Sequence, residues 1–396
     1  MAAQLKTPYS AGMFRQRLIA PGPVEISGEV QRALSMPQLH HRSPEAKAIL
    51  KRALELLRVI AGLPVSSGWQ PLILTMSGTG AFEAVLSSLV PHGAKVASLS
   101  AGKFGERWSE MAKGLGYQVT EQRFAWGESI PADAAAKVSP DAQALLITHS
   151  ETSTGALHDL QQIARAARAV NPELLIIVDA ITSLGMTELR PVEWGIDAVI
   201  SGSQKAVAGP PGLGLVFLSP RALEALSSVQ PSGYYLDLRR ELKMQPQGET
   251  AFTPAINLIT ALNASLEPLA SEIEGIGLEM YWANKKALND ALLAAALALG
   301  CTSFAHNPSP ACVTLIPPAP ITGRMLWSAL LKRNARAQTG QDAIKDVITR
   351  ISFMGHFDRY DALSFAGLLE EALLDCGAGI TRGAGVAAAW QALEGR

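Results

Sequence analysis

"AVISGSQKAVAGPPG", residues 198–212, is the stretch from which the fold can be read. Ala198, Val199 and Ile200 run into Ser201 and Gly202, and a lone lysine, Lys205, follows before glycine and proline break any helix. An apolar run that stops at small polar residues is the carboxyl end of a strand covered on both faces. Working outward, the pattern recurs in "PLILTMSGTG" (71–80), "KVASLS" (95–100), "ALLITHSETSTG" (144–155), "ELLIIVDAITSLG" (173–185) and "GLGLVFLSP" (212–220). Such strands, alternating with helix-like segments, predict an α/β domain around a mainly parallel, doubly wound sheet. In these sheets the ligand lies beyond the carboxyl ends of the strands, where strand order reverses. The polar residues that end the runs are therefore aimed at one place.

Beyond about residue 250 the texture changes. Apolar residues recur at helical spacing from "FTPAINL" to "LAAALALG", with breaks expected near Pro268 and at Gly275 to Gly277. This predicts a long connecting helix into a second domain. "ACVTLIPP" (311–318), "ITGRMLWSALLKRN" (321–334), "DVITRISFMG" (346–355) and "DRYDALSFAGLLEEALLDCG" (358–377) then read as strand, helix, strand, helix, a small C-terminal α+β lobe. A chain of 396 residues is long enough for two domains with a crevice between them.

Composition narrows the function. The chain is 48% hydrophobic and 17% charged, the balance of a well-buried globular protein. Its 34 basic and 35 acidic residues leave a net charge of −1 with no block of like charge, which argues against a nucleic-acid partner. Cys301, Cys312 and Cys376 stand far apart without CxxC spacing, so neither a disulfide framework nor a zinc site is expected, and a reducing, cytoplasmic setting is favoured. No segment has signal-peptide character or the roughly 18 uninterrupted apolar residues needed to cross a bilayer.

The chemistry lies in the polar ends. Asp179 follows "LLIIV", and an acid among apolar neighbours needs a cationic or hydrogen-bonding partner. Lys205 follows the next strand, and an amine held partly desolvated becomes a nucleophile toward carbonyls, as a Schiff-base lysine must. "SGTG" (77–80), leading into "AFEAVLSSLV", presents backbone N–H groups at a helix N-terminus, a ready anion site. An aldehyde for the lysine, a ring nitrogen for the aspartate and a phosphate for the helix end are united in pyridoxal phosphate. Taken singly, each signal has an ordinary reading: a solubilising lysine, a cap or turn aspartate, a turn before a helix. "SGTG" also departs from GxGxxG, because Glu83 occupies the last glycine position. Order and spacing together lift the reading.

Across most of its length the chain resembles the class V, fold-type I pyridoxal-phosphate aminotransferases, and among them the alanine/serine:glyoxylate (serine:pyruvate) branch. "APGPVEIS", "HHRSPEAK", "SGTGAFEA", "AGKFGERW", "THSETSTGAL", "VDAITSLG", "SGSQKAVAGPPGLG", "FTPAINL" and "VITRISFMG" carry the resemblance. It implies an N-terminal segment over the active site (1–25), a large cofactor-binding α/β domain (26–255) and a connecting helix with a small C-terminal domain (256–396). It further implies that Lys205 forms the Schiff base and moves the proton, and that Asp179 keeps the ring nitrogen protonated. Thr79, Gly80 and Gln204 would hold the phosphate, Thr152 the ring's phenolic oxygen, and Phe104 would stack on the ring where relatives often carry tryptophan. In the homodimers typical of the family the second subunit completes the phosphate site, a role that Thr253 fits. Thr250 replaces a frequent tyrosine and Ala81 an occasional histidine. Arg350 matches the substrate-carboxylate arginine, and the loop "PGP" (21–23), with Gly22, fits the segment that closes over the substrate. His41 and Arg42 are expected in the structural shell of that loop.

The resulting expectation is a ping-pong aminotransferase acting on small amino acid and 2-oxo acid substrates: serine or alanine as donor, glyoxylate or pyruvate as acceptor. The tilt to small donors rests on the lack of an obvious second arginine, although Arg239, Arg240, Arg324 and Arg336 are candidates and aspartate stays open. A desulfurase or lyase on the same fold would need a mobile cysteine, and Cys312, between prolines and an apolar strand, reads better as a buried small hydrophobe. A non-enzymatic subunit of a larger assembly would have no need of Lys205, Asp179, Thr152 and Arg350 together.

Overall fold

The structure is a computed structural model describing residues 16–230 and 232–394. Its strands, in chain order, are β1 (Gln70–Leu74), β2 (Lys95–Ser100), β3 (Gln118–Arg123), β4 (Ala144–Thr148), β5 (Ser150–Glu151), β6 (Ala156–Leu157), β7 (Leu175–Asp179), β8 (Ala198–Gly202), β9 (Gly214–Leu218), β10 (Thr302–Ser303), β11 (Val313–Ile316), β12 (Gln338–Thr339) and β13 (Thr349–Ile351). Seven of them form the large sheet, ordered β1-β9-β8-β7-β4-β2-β3. Each of the six apolar runs supplies one of its strands. Alternate residues of one strand serve opposite cores. Ile147, Val178, Val199 and Phe217 meet the helices Pro44–Ile60, Leu160–Val170 and Ile256–Ile276 on one face. Leu146, Ile177, Ile200 and Val216 meet Phe82, Val85 and Leu86 of the helix Gly78–Leu89 on the other, together with Trp108. Burial on both faces is why these strands read as unbroken apolar runs.

The large sheet is mainly parallel as expected, and two of its strands carry detail that the apolar runs did not. β9 is antiparallel to both β8 and β1, because the eleven residues between Gly202 and Gly214 are too few for the crossover that a parallel return requires. β3, "QVTEQR", shows no apolar run, since an edge strand half open to solvent needs none. The remaining strands of the large sheet are parallel.

Pro268 lies inside a continuous helix, and the break comes only at Gly277, whose φ of +81° suits glycine. Proline costs a helix one backbone hydrogen bond, and the packing of Leu266, Leu269, Ala270 and Ile273 into the core beneath the large sheet holds the helix together through it. A second helix, Leu278–Ala298, places Leu292 and Ala296 in a separate core with Leu315, Leu330, Ile351 and Leu369 around an antiparallel sheet ordered β10-β11-β13-β12. That sheet and its helices form the smaller C-terminal domain. Among the described residues no helix is long and apolar enough to cross a membrane.

Candidate active site

Strand register brings the polar ends together. Thr148 pairs with Asp179 and Asp179 with Ile200 across β4, β7 and β8, while Leu74 and Gly202 both pair with Gly214. The segments leaving β1, β2, β4, β7 and β8 therefore start at one edge, and the strand order reverses there between β2 and β4. They carry Thr79 and Gly80, Phe104, Thr152, Asp179, and Gln204 with Lys205.

Lys205 is 9% exposed and its amine donates a hydrogen bond to the Pro21 carbonyl. A Cβ on Gly22, whose φ is +95°, would lie 2.5 Å from Lys205 Cδ and 2.7 Å from Nζ. The "PGP" loop thus sits directly on the lysine, and glycine is what the contact admits. Burial pushes the amine down to about 8, with Arg350 and Arg107 adding repulsion. Asp179 has the opposite problem: burial pushes its carboxyl up to about 7. Its oxygens accept from the Ile181 N–H at 2.8 Å and the Trp108 indole N–H at 2.5 Å, and no cation lies within ion-pair distance among the described residues. A buried acid with two neutral donors fits a ligand that brings a protonated ring nitrogen.

Thr152 and Thr182, both buried, share a hydrogen bond of 2.6 Å. The Thr152 carbonyl accepts from Arg350 Nη1 at 3.0 Å, and Arg350 Nε donates to the Thr339 carbonyl at 2.8 Å. Arg350 is 6% exposed on β13, no carboxylate pairs with it among the described residues, and burial lowers its pKa. A desolvated guanidinium bonded to backbone carbonyls keeps a charge that a carboxylate ligand could pair with.

At the helix Gly78–Leu89 the Ser77 hydroxyl accepts from the Gly80 N–H, and the other first-turn N–H groups have no partner within the helix. This helix end sits close over β9, since a Cβ on Gly214 would lie 2.7 Å from Ala81 Cβ. The Gln204 side chain folds back over Gly202, where a Cβ would lie 2.6 Å from its Oε1. Thr253 is exposed and lines a recess with Thr75, Tyr235 and Thr250, whose hydroxyl is taken by the Phe252 carbonyl. Arg42 is exposed and His41 stacks on His40, both near Glu249 and not at the lysine.

Two residues of the site escaped the sequence reading. Trp108 follows Phe104 by one helical turn, so the two share a face, and its ring stacks on Phe82 at 4.0 Å while its N–H reaches Asp179. Glu151, fully buried, accepts from the N–H groups of Phe104 and Gly105 at 3.2 and 2.9 Å and from the Ser153 hydroxyl at 2.6 Å. It caps the helix Lys103–Gly114 from another element and fixes where Phe104 stands; burial raises its pKa. The available signals were a tryptophan at i+4 and a carboxylate inside a turn of small residues.

Taken together, the buried amine, the acid and the guanidinium that lack an ion-pair partner among the described residues, and the open helix N-terminus fit pyridoxal phosphate and a carboxylate substrate. Comparison with known proteins agrees. The family profile described as "Aminotransferase class-V" matches residues 25–361. The chain is 36% identical over 392 residues to the small subunit of a soluble hydrogenase of Synechococcus sp., covering 95% of this chain and 98% of the relative. It is 31% identical to L-aspartate–glyoxylate aminotransferase of Paracoccus denitrificans, covering 94% of each. Among solved structures, an aspartate aminotransferase of subgroup IV from Thermus thermophilus superposes with a TM-score of 0.84 at 40% identity, over 91% of this chain and 99% of that one. The chain belongs to the aminotransferase class-V family and is a pyridoxal-phosphate-dependent transaminase of fold-type I.

Proposed function

We propose that the protein transfers the amino group of a small amino acid, serine or alanine, to glyoxylate or pyruvate. One observation carries the reading: Lys205, Asp179 and Arg350 are all buried, Lys205 feels the charges of the other two, and no carboxylate pairs with Arg350 among the described residues. Pyridoxal phosphate supplies the aldehyde and the electron-withdrawing ring; every other task falls to side chains. Lys205, with its lowered pKa, has a neutral fraction near neutral pH, so it can hold the aldehyde and, once free, carry a proton. Asp179, ionised opposite a protonated ring nitrogen, keeps that nitrogen charged. Thr152 orients the ring oxygen, Phe104 covers one ring face, and Thr79, Gly80 and Gln204 hold the phosphate. Arg350 binds the substrate α-carboxylate by charge-assisted hydrogen bonds. The Pro21–Pro23 loop excludes water from the amine. Thr253, exposed on its own chain, completes the phosphate site of a partner subunit in a homodimer. Three free cysteines, two of them buried, support a reducing, cytoplasmic setting.

Small donors are favoured because Arg239 and Arg324 pair with Asp237 and Asp346. A second reading, aspartate as donor, is favoured by Arg107. Its guanidinium lies 4.8 Å over the Phe104 ring and its charge is felt at Lys205. The names of the Paracoccus and Thermus relatives support the same reading. Cys312 does not support a desulfurase: it is fully buried and burial pushes its thiol up to about 11, so it stays protonated. The Synechococcus relative's name raises the reading of an assembly subunit, which the buried Lys205–Asp179–Arg350 set speaks against. Single-turnover spectroscopy of the holoenzyme with serine, alanine and aspartate ranks the donors. Response to aspartate alone would move the proposal to the second reading, and response to none would end it.

A further inference from the structure

A cavity of about 760 Å³ lies between the helices Ile256–Ile276 and Leu278–Ala298 and the loop 355–359, apart from the crevice described above. Its size falls in the range of roughly 300–1,000 Å³ that small-molecule sites occupy. Leu269, Met280, Leu288 and Phe357 give it an apolar wall, Asn284, His356 and Arg359 a polar one with the Arg359 guanidinium over the Trp390 ring, and the buried Lys285 lines it as well. Lys285 is 7% exposed, and its compensation is thin. Nζ donates to the Gly355 carbonyl at 3.4 Å, stands 3.9 Å from a Glu272 carboxylate that is 39% exposed, and lies 5.0 Å from the Tyr281 ring centre. An ammonium has three donors, so one long hydrogen bond and one solvent-screened ion pair leave it short of partners. The other carboxylate on the wall, Asp358, is committed to capping the helix Arg359–Asp375. A buried cation beside the apolar wall of a cavity complements a carboxylate that carries an apolar body.

The carbonyl that Lys285 holds belongs to a residue packed on the catalytic turn. A Cβ on Gly355 would lie 3.1 Å from Ala208 Cβ and 3.5 Å from Val24 Cγ2, which places Gly355 against both the lysine turn and the loop that covers it. We propose that this cavity is an effector site for a monocarboxylate with an apolar body, its carboxylate on Lys285 and its chain along Met280, Leu288 and Phe357. Drawing Lys285 toward the ligand loosens its hold on Gly355, and Lys205 feels the change through Ala208. The proposal does not depend on which amino donor is used.

Calorimetric titration of the holoenzyme with octanoate tests binding, with octan-1-ol and acetate as probes lacking the charge or the chain. Octanoate should bind saturably, at least tenfold more tightly than either. Lys285→Met should weaken octanoate binding tenfold or more. Met280→Asp should do the same without threatening the fold, since Met280 is 55% exposed. Arg350→Ala should leave octanoate binding intact, which separates this site from the substrate site. Saturating octanoate should change the transamination rate of the unmodified enzyme but not of Lys285→Met. Binding insensitive to both cavity variants, binding lost in Arg350→Ala, or a rate unmoved by saturating octanoate would overturn the proposal.

Discussion

Gly22→Ala is the sharpest perturbation of the contact between the N-terminal loop and the lysine. The added methyl would sit 2.5–2.7 Å from Lys205 Cδ, Cε and Nζ, whereas non-bonded carbons rest about 3.5–4.0 Å apart. Something must yield by about an ångström, and the lysine, at the end of a flexible chain, is what moves. A misplacement of that size at a reacting group costs on the order of 100-fold in rate. The substitution also places a side chain at φ +95°, an additional strain of about 1–2 kcal/mol. Gly93→Ala separates the two effects: Gly93 has φ +78° and nothing within 4 Å of its would-be Cβ, so it carries the strain without the collision. The assay is single-turnover loss of the cofactor's visible absorbance on adding donor, alongside thermal unfolding. Both variants should lose a few degrees of Tm, and only Gly22→Ala should lose about two orders of magnitude in rate. Equal rates in the two variants would refute the claim that the loop sets the position of the amine.

Lys205→Ala should still bind the cofactor yet lose turnover almost entirely, whereas Arg350→Ala should chiefly weaken substrate binding. The latter loses about 2–3 kcal/mol of charge-assisted hydrogen bonding, roughly 30- to 150-fold in kcat/KM; equal small losses in both would contradict the roles. In the cofactor-free protein, the raised Asp179 pKa means that the folded chain keeps a proton that the unfolded chain releases between the ordinary carboxylate range and about pH 7. Stability should therefore fall as pH rises through that window, and Asp179→Asn should flatten this part of the Tm–pH curve. Trp108→Phe removes one of the two donors to Asp179, so its pKa should rise further, by about one to two units, moving the acid limb of cofactor capture to higher pH. Glu151→Gln keeps the volume but replaces one of the two accepting oxygens, which hold the helix bearing Phe104, with an NH2 that cannot accept. Cofactor affinity and Tm should both drop, by about 1–3 kcal/mol in binding, and unchanged affinity would show that Phe104 needs no such anchor.

Much of the architecture and the chemistry was legible in the chain. A strand buried on both faces is mostly apolar or small along its length, so β1, β2, β4, β7, β8 and β9 announced themselves; β3, exposed along an edge, had no reason to. Lys205 and Asp179 stood out because a charge at the end of such a strand is costly without a purpose. What the order of residues could not convey is what folds over them. The antiparallel turn of β9, the Pro21 carbonyl on the Lys205 amine, the Trp108 indole on Asp179 and the Glu151 cap on the helix of Phe104 join residues far apart in the chain. Local pattern governs which segments become strands and helices, since it depends on propensity and burial period. The pKa of a buried amine and the room beside a glycine depend on atoms that only tertiary packing brings near.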